Sequence, residues 1–170
     1  LPVSEIIIIA NYNLGEFQML FPESEYKGMN VSLLCVDSAS VTAESVKNAA
    51  NEDEETVLVI NADSYFEFNL SKAYSRHIIN KNDVTIICKN VDDPRDYAVI
   101  NETEEGKITE IVEKPDWSGV FSDLVDCGVY FIEHSVWELE KENKSVQNFR
   151  SVFLDAINSN LKVCSFKSTE

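Results

Sequence analysis

A chain of 170 residues, 44% of them hydrophobic and 26% charged, is long enough to bury one core and too apolar for disorder to be the default. Thirty acidic residues against fourteen basic ones leave a net charge of −16, which excludes a general binder of nucleic acid or of anionic membrane surfaces. No apolar stretch approaches the roughly 20 residues that span a bilayer, and no charged-then-apolar leader opens the chain, so the cytoplasm is the expected compartment.

Short β-branched runs alternate with helical patterns through the first half. Ile6 to Ala10, Val31 to Val36, Val57 to Ile60 and Val84 to Cys88 are continuous and apolar, which suits strands covered on both faces in a parallel sheet. Between them Leu14 to Phe21, Ala43 to Ala50 and Ser71 to Ile79 read as helices, with Thr42 and Asn69 as N-caps. Beyond them, Tyr97 to Ile100 and Lys107 to Glu113 flank the polar turn Asn101 to Gly106 and read as a hairpin. Cys127 to Ile132 is a strand, Ser135 to Lys141 and Asn148 to Asn158 are helices, and Leu161 to Phe166 is the last strand. The order predicts a single-domain α/β fold with a doubly wound, mostly parallel sheet. Cys35, Cys88, Cys127 and Cys164 show neither C-x-x-C nor zinc spacing and are expected to be buried free thiols.

Three places could carry chemistry. Asp63 follows the apolar strand Val57 to Ile60, at the sheet edge where open α/β folds bind ligands, and could hold a hard cation or merely cap the next turn. Glu113-Lys114-Pro115 ends a strand, where Lys114 could meet a phosphate or Glu113 and Lys114 could form a strand-end salt bridge. Asp126-Cys127-Gly128-Val129-Tyr130 opens another strand, where Gly128 permits close approach of a ligand or serves as a turn glycine. Glu52 to Glu55 reads as a solvated loop, Arg95 as locally paired, and His77 and His134 show no partner spacing for nucleophilic catalysis.

Taken in order, the segments SEIIIIANYN (from Ser4), TAESVKNA (from Thr42), VLVINAD (from Val57), NLSKAYSRH (from Asn69), DPRDYAVI (from Asp93), ITEIVEKPDWSGVFSDLVDCGVYFI (from Ile108) and LKVCSF (from Leu161) resemble the sugar-1-phosphate nucleotidyltransferases. The EKP element looks most like that of mannose-1-phosphate guanylyltransferase-like and glucose-1-phosphate-type members. The resemblance implies transfer of a nucleotidyl group from a nucleoside triphosphate to a sugar 1-phosphate, with Mg2+ as cofactor, those two small molecules as partners, and neither nucleic acid nor membrane. It further implies Asp63 as metal ligand, Asp63 and Lys114 as catalytic residues, and Thr42, Ala98, Glu113, Lys114, Asp126 and Gly128 as substrate contacts.

The sequence also departs from the family pattern. Relative to it, residues 1–170 form a core without the N-terminal glycine-rich strand and loop or the C-terminal W-x-D-I-G segment, so this stretch alone is expected to be inactive. The missing strand would lie between the strands Ile6 to Ala10 and Val57 to Ile60, leaving two rows of unpaired backbone groups. Val41 and Glu44 replace glycines of the nucleotide turn, Ala98 a glycine, and Asp126 an asparagine. A non-catalytic binding or regulatory subunit is therefore the alternative reading. A homo-oligomer fits an exposed sheet edge.

Overall fold

The computed structural model describes residues 1, 3–36, 43–50, 56–139 and 148–167. Two sheets carry the fold. In the smaller, β1 (Glu5–Ala10) lies parallel to β3 (Met29–Cys35), and the two-residue β2 (Glu25–Tyr26) folds antiparallel onto β3. The larger comprises β4 (Thr56–Ile60), β5 (Val84–Asn90), β6 (Ala98–Glu102), β7 (Ile108–Glu113), β8 (Leu124–Glu133) and β9 (Val163–Lys167). Its order is β7-β6-β8-β5-β9, and β4 also pairs with β8. Since β4, β5 and β6 run antiparallel to β8 and β9 runs parallel to β5, four of its six strands share one direction.

Alternation along the strands directs apolar side chains to helices on both faces, as a doubly wound α/β domain requires. Val129 and Phe131 of β8 pack with Ile87 of β5 towards Ala73 of α3 (Leu70–Asn80). Tyr130 and Ile132 point the other way, into the larger core. There they join α2 (Ala43–Ala49), α4 (His134–Leu139) and α5 (Phe149–Asn158), with the rings of Tyr130 and Phe153 5.0 Å apart. Asn69 caps α3 by accepting from the Lys72 backbone N–H, and Asn148 caps α5 from Ser151 in the same way.

Several expectations need adjustment. β1 was expected to be covered on both faces, yet Glu5 to Ile9 are only partly buried, because helix α1 (Leu14–Leu20) buries none of its side chains. β8 begins at Leu124, three residues before the apolar run suggests, because Leu124 and Val125 are buried against β5 and β6. β2 and a single 3-10 turn at Trp117–Gly119 carry no periodicity and were not foreseen. All four cysteines are free, but Cys35 is exposed and Cys127 only half-buried. Thr42, Val41, the acidic loop Glu52 to Glu55 and the end of the predicted helix at Lys141 lie outside the described residues.

The two sheets meet without pairing. Among the described residues β1 has no partner but β3, and β4 none but β8. Helix α2 bridges them instead, its Ala43 and Val46 sharing one core with Val59 of β4 and with Ile9 of β1.

Candidate active site

The C-terminal end of β4 and the start of β8 meet at one sheet edge, and a bulge shapes the meeting. Between two register pairs β5 advances only from Ile86 to Cys88, while β8 runs from Tyr130 back to Asp126. The extra β8 residues swell outward around Gly128, which takes φ 73° in the left-handed region open to glycine. The close approach at Gly128 comes from the chain itself. A Cβ there would lie 2.6 Å from Asn61 Nδ2 and 2.7 Å from Ser64 Oγ. Asn61 N–H donates to Gly128 O at 2.9 Å and Ser64 Oγ donates to Cys127 O at 2.9 Å, so the turn after β4 is pinned onto the bulge. Asp63 lies within that turn with its side chain exposed.

Asp126 faces inward. Its Oδ1 accepts the Gly128 N–H at 2.7 Å and its Oδ2 accepts the Tyr130 hydroxyl at 2.9 Å. Burial, aided by the negative charge of Glu113, pushes its carboxyl up to about 6 against the pull of both bonds. Burial, followed by the charge of Asp126, pushes the Tyr130 hydroxyl well above the ordinary tyrosine range. Burial also lifts the Cys127 thiol to about 11, which removes it as a nucleophile near neutral pH.

The β6–β7 hairpin completes the edge. Ala98 stands opposite Glu113, next to the pair of Val99 with Val125 of β8. Lys114 adopts φ 40° and donates its N–H to Tyr97 O at 2.9 Å, which turns the chain sharply and leaves both Glu113 and Lys114 exposed. Beyond it, Asp116 accepts from the Ser118 and Gly119 N–H groups, and Arg95 stacks 4.4 Å above the Trp117 ring while pairing with Asp93. The local pairing expected of Arg95 is therefore present. No strand-end salt bridge forms at Glu113 or Lys114 among the described residues.

Of the predicted site residues, Asp63, Ala98, Glu113, Lys114, Asp126 and Gly128 thus come to one edge, and Thr42 lies outside the described residues. Glu44 is exposed on the first turn of α2. Reasoning from sequence missed Asn61 and Ser64, and placed Tyr130 in the third cluster without a role. Its role was within reach, since residues two and four apart on a strand share a face. Among the described residues no three His, Cys, Asp or Glu side chains gather as a metal centre; a hard cation held at Asp63 would have to take its other oxygen ligands from phosphate and water. His77 is a core residue: its Nδ1 lies 2.8 Å from Thr85 Oγ1 and its Nε2 2.7 Å from Glu133 Oε1.

The sequence matches the Nucleotidyl transferase family over residues 2–168. The chain belongs to that family. Among its relatives, a mannose-1-phosphate guanylyltransferase of Mycobacterium tuberculosis is 23% identical, the match covering 89% of this chain and 42% of that protein. A bifunctional protein GlmU of Methanococcus maripaludis is 30% identical, with 79% of this chain and 30% of that protein covered. The chain thus spans less than half the length of either relative. A Bacillus anthracis structure, provisionally named a glucose-1-phosphate thymidylyltransferase and solved with sucrose, superposes with a TM-score of 0.83 at 20% identity. It covers 98% of this chain and 68% of that one, and HddC of Yersinia pseudotuberculosis follows at 0.74 and 18% identity, covering 98% and 70%. These likenesses establish the α/β fold. No helix among the described residues is long and apolar enough to cross a membrane.

Proposed function

We propose that the polypeptide carrying this sequence transfers a nucleotidyl group from a nucleoside triphosphate to a sugar 1-phosphate, forming an NDP-sugar and pyrophosphate. The observation that carries the reading is the pinning of the β4 turn on the β8 bulge, which sets Asp63 on the same edge as Ala98, Glu113 and Lys114. A phosphate oxygen of the sugar phosphate attacks the α-phosphorus, and the bond from that phosphorus to the pyrophosphate oxygen breaks. No covalent enzyme intermediate is needed, so the residues contribute position and charge. Lys114 supplies a cation and Glu113 a hydroxyl acceptor, while Asp63 is the protein's ligand for Mg2+. That ion, when bound with the triphosphate, supplies charge neutralisation.

A second reading, a non-catalytic member that binds a nucleotide sugar, is favoured by Asp126. Its carboxylate is taken up by Gly128 and Tyr130 and adds negative charge beside Glu113, where a phosphorylated ligand would sit. Pyrophosphate release from a panel of nucleoside triphosphates and sugar 1-phosphates with Mg2+ separates the two. Turnover with one pair establishes the transferase and names its substrates; silence from folded polypeptide that still binds an NDP-sugar selects the second reading.

A further inference from the structure

The open end of the β6–β7 hairpin is held together beyond its last paired residues. The strand register ends with Ala98 opposite Glu113. One residue further out, the Lys114 N–H donates to Tyr97 O at 2.9 Å. Further out again, the Arg95 guanidinium lies 4.4 Å over the Trp117 ring. That contact joins the turn ahead of β6 to the turn after β7, and Lys114 lies between them. Lys114 itself takes φ 40°, a backbone conformation that disfavours any residue with a side chain, so its turn persists only under restraint from its surroundings.

Each partner is itself fixed in place. Arg95 Nε donates to Asp93 Oδ1 at 2.8 Å and Nη2 donates to Oδ2, while the Arg95 backbone N–H reaches Oδ1 at 3.2 Å. Arg95 beside it holds the Asp93 carboxyl down to about 2, chiefly through the side-chain bonds, so the pair stays ionised near neutral pH. Behind it the Tyr97 N–H donates to the carbonyl of buried Pro94 at 3.1 Å. On the Trp117 side, Asp116 Oδ1 accepts the Ser118 N–H at 3.0 Å and the Gly119 N–H at 3.1 Å, and it also accepts the Ser118 hydroxyl. Gly119 backs onto buried Pro115, where a Cβ would lie 3.1 Å from the proline Cβ. Two locally closed turns thus meet through one ring and one guanidinium.

We propose that Asp93, Arg95 and Trp117 form a latch that holds the turn carrying Lys114, which makes Arg95 and Trp117 positioning residues for that lysine. The backbone angle of Lys114 sets the direction in which its side chain leaves the chain, and a cation serves a phosphate only from the right place. Arg95 is not a second phosphate ligand in this arrangement, because Asp93 occupies its fork and neutralises its charge. All three side chains are exposed on their outer side, so removing one leaves the buried core intact. Only the effect of Lys114 on a ligand depends on the transferase reading; the latch belongs to the polypeptide with nothing bound.

Amide hydrogen exchange followed by NMR tests the latch without any ligand. Arg95→Ala and Trp117→Ala should each speed exchange at Lys114 about two- to fivefold, the range that an exposed cation–π contact supports, with the amides of β5 and β8 unchanged. The double variant should go no further than either single one, since both remove the same contact. Trp117→Phe, which keeps a ring, should fall between the parent and Trp117→Ala. Lys114 exchange at the parental rate in both single variants overturns the latch, as does an equal rise in β5 and β8, which marks general loosening. The reaction then tests the role. With the nucleotide and sugar pair that the panel turns over, Arg95→Ala should lower kcat/KM about two- to fivefold in the parent and not at all in a Lys114→Ala background. A loss that persists without Lys114 overturns action through that lysine. A panel silent throughout refutes the transferase reading, while the exchange rates still decide the latch.

Discussion

Asp126 carries a charge that the fold tolerates at a cost. Because its carboxyl is raised to about 6, folding takes up a proton at this position, so its contribution is complete below about pH 4 and is lost as the pH rises through about 6. Asp126→Asn keeps an acceptor for Gly128 N–H and removes the titration. Its stability relative to the parent should therefore improve with pH, by about 2–3 kcal/mol between pH 4 and pH 7 in urea unfolding. A difference that does not change with pH would show that the carboxylate is better solvated than its burial indicates. Asp63 presents the opposite case. It is exposed, so Asp63→Asn should leave stability within about 0.5 kcal/mol while weakening Mg2+-dependent nucleotide binding at least tenfold by calorimetry. Unchanged nucleotide affinity would remove Asp63 from the metal role. The strand context was legible for both aspartates, after a strand for Asp63 and at the opening of one for Asp126, but their difference in burial was not, because it depends on Tyr130 and the bulge packing around one of them.

At the scale of elements, boundaries marked by local chemistry were readable and those set by partners were not. The Asn69 cap of α3 is a local hydrogen bond, and the residue type and place announce it. Asn69→Ala should lower the stability of the chain by about 1 kcal/mol in chemical denaturation, without altering its secondary structure in circular dichroism. No loss would mean that packing of Ala73 and His77 alone holds the helix start. By contrast, the start of β8 at Leu124 and its bulge at Gly128 follow from pairing with β5, β6 and β4, whose partner residues lie far along the chain, 26 residues apart for Val99 and Val125 and 69 for Ile60 and Val129. Such contacts leave no local trace.

The whole molecule is governed by its unpaired edges. β1 and β4 each have a strand partner on one side only among the described residues, and β1 keeps its isoleucines only half covered. A strand edge of this kind recruits other chains, whereas the net charge of −16 keeps them apart. Sedimentation of the 170-residue chain should show self-association that grows with concentration and with salt, as screening weakens the repulsion. A monomer at all salt concentrations would mean that these edges are shielded.

The sequence by itself determined the α/β class, the alternation of strands and helices, the α3 cap and the ends of strands where Asp63, Glu113 and Asp126 sit, because hydrophobic period and capping act over a few residues. Only the tertiary structure decided that the strands divide into two sheets, that Gly128 receives Asn61 and Ser64, that Asp126 turns to Tyr130, and that Arg95 stacks on Trp117. Each of these depends on strand register and on burial by distant segments, and neither is encoded within a local window of the chain.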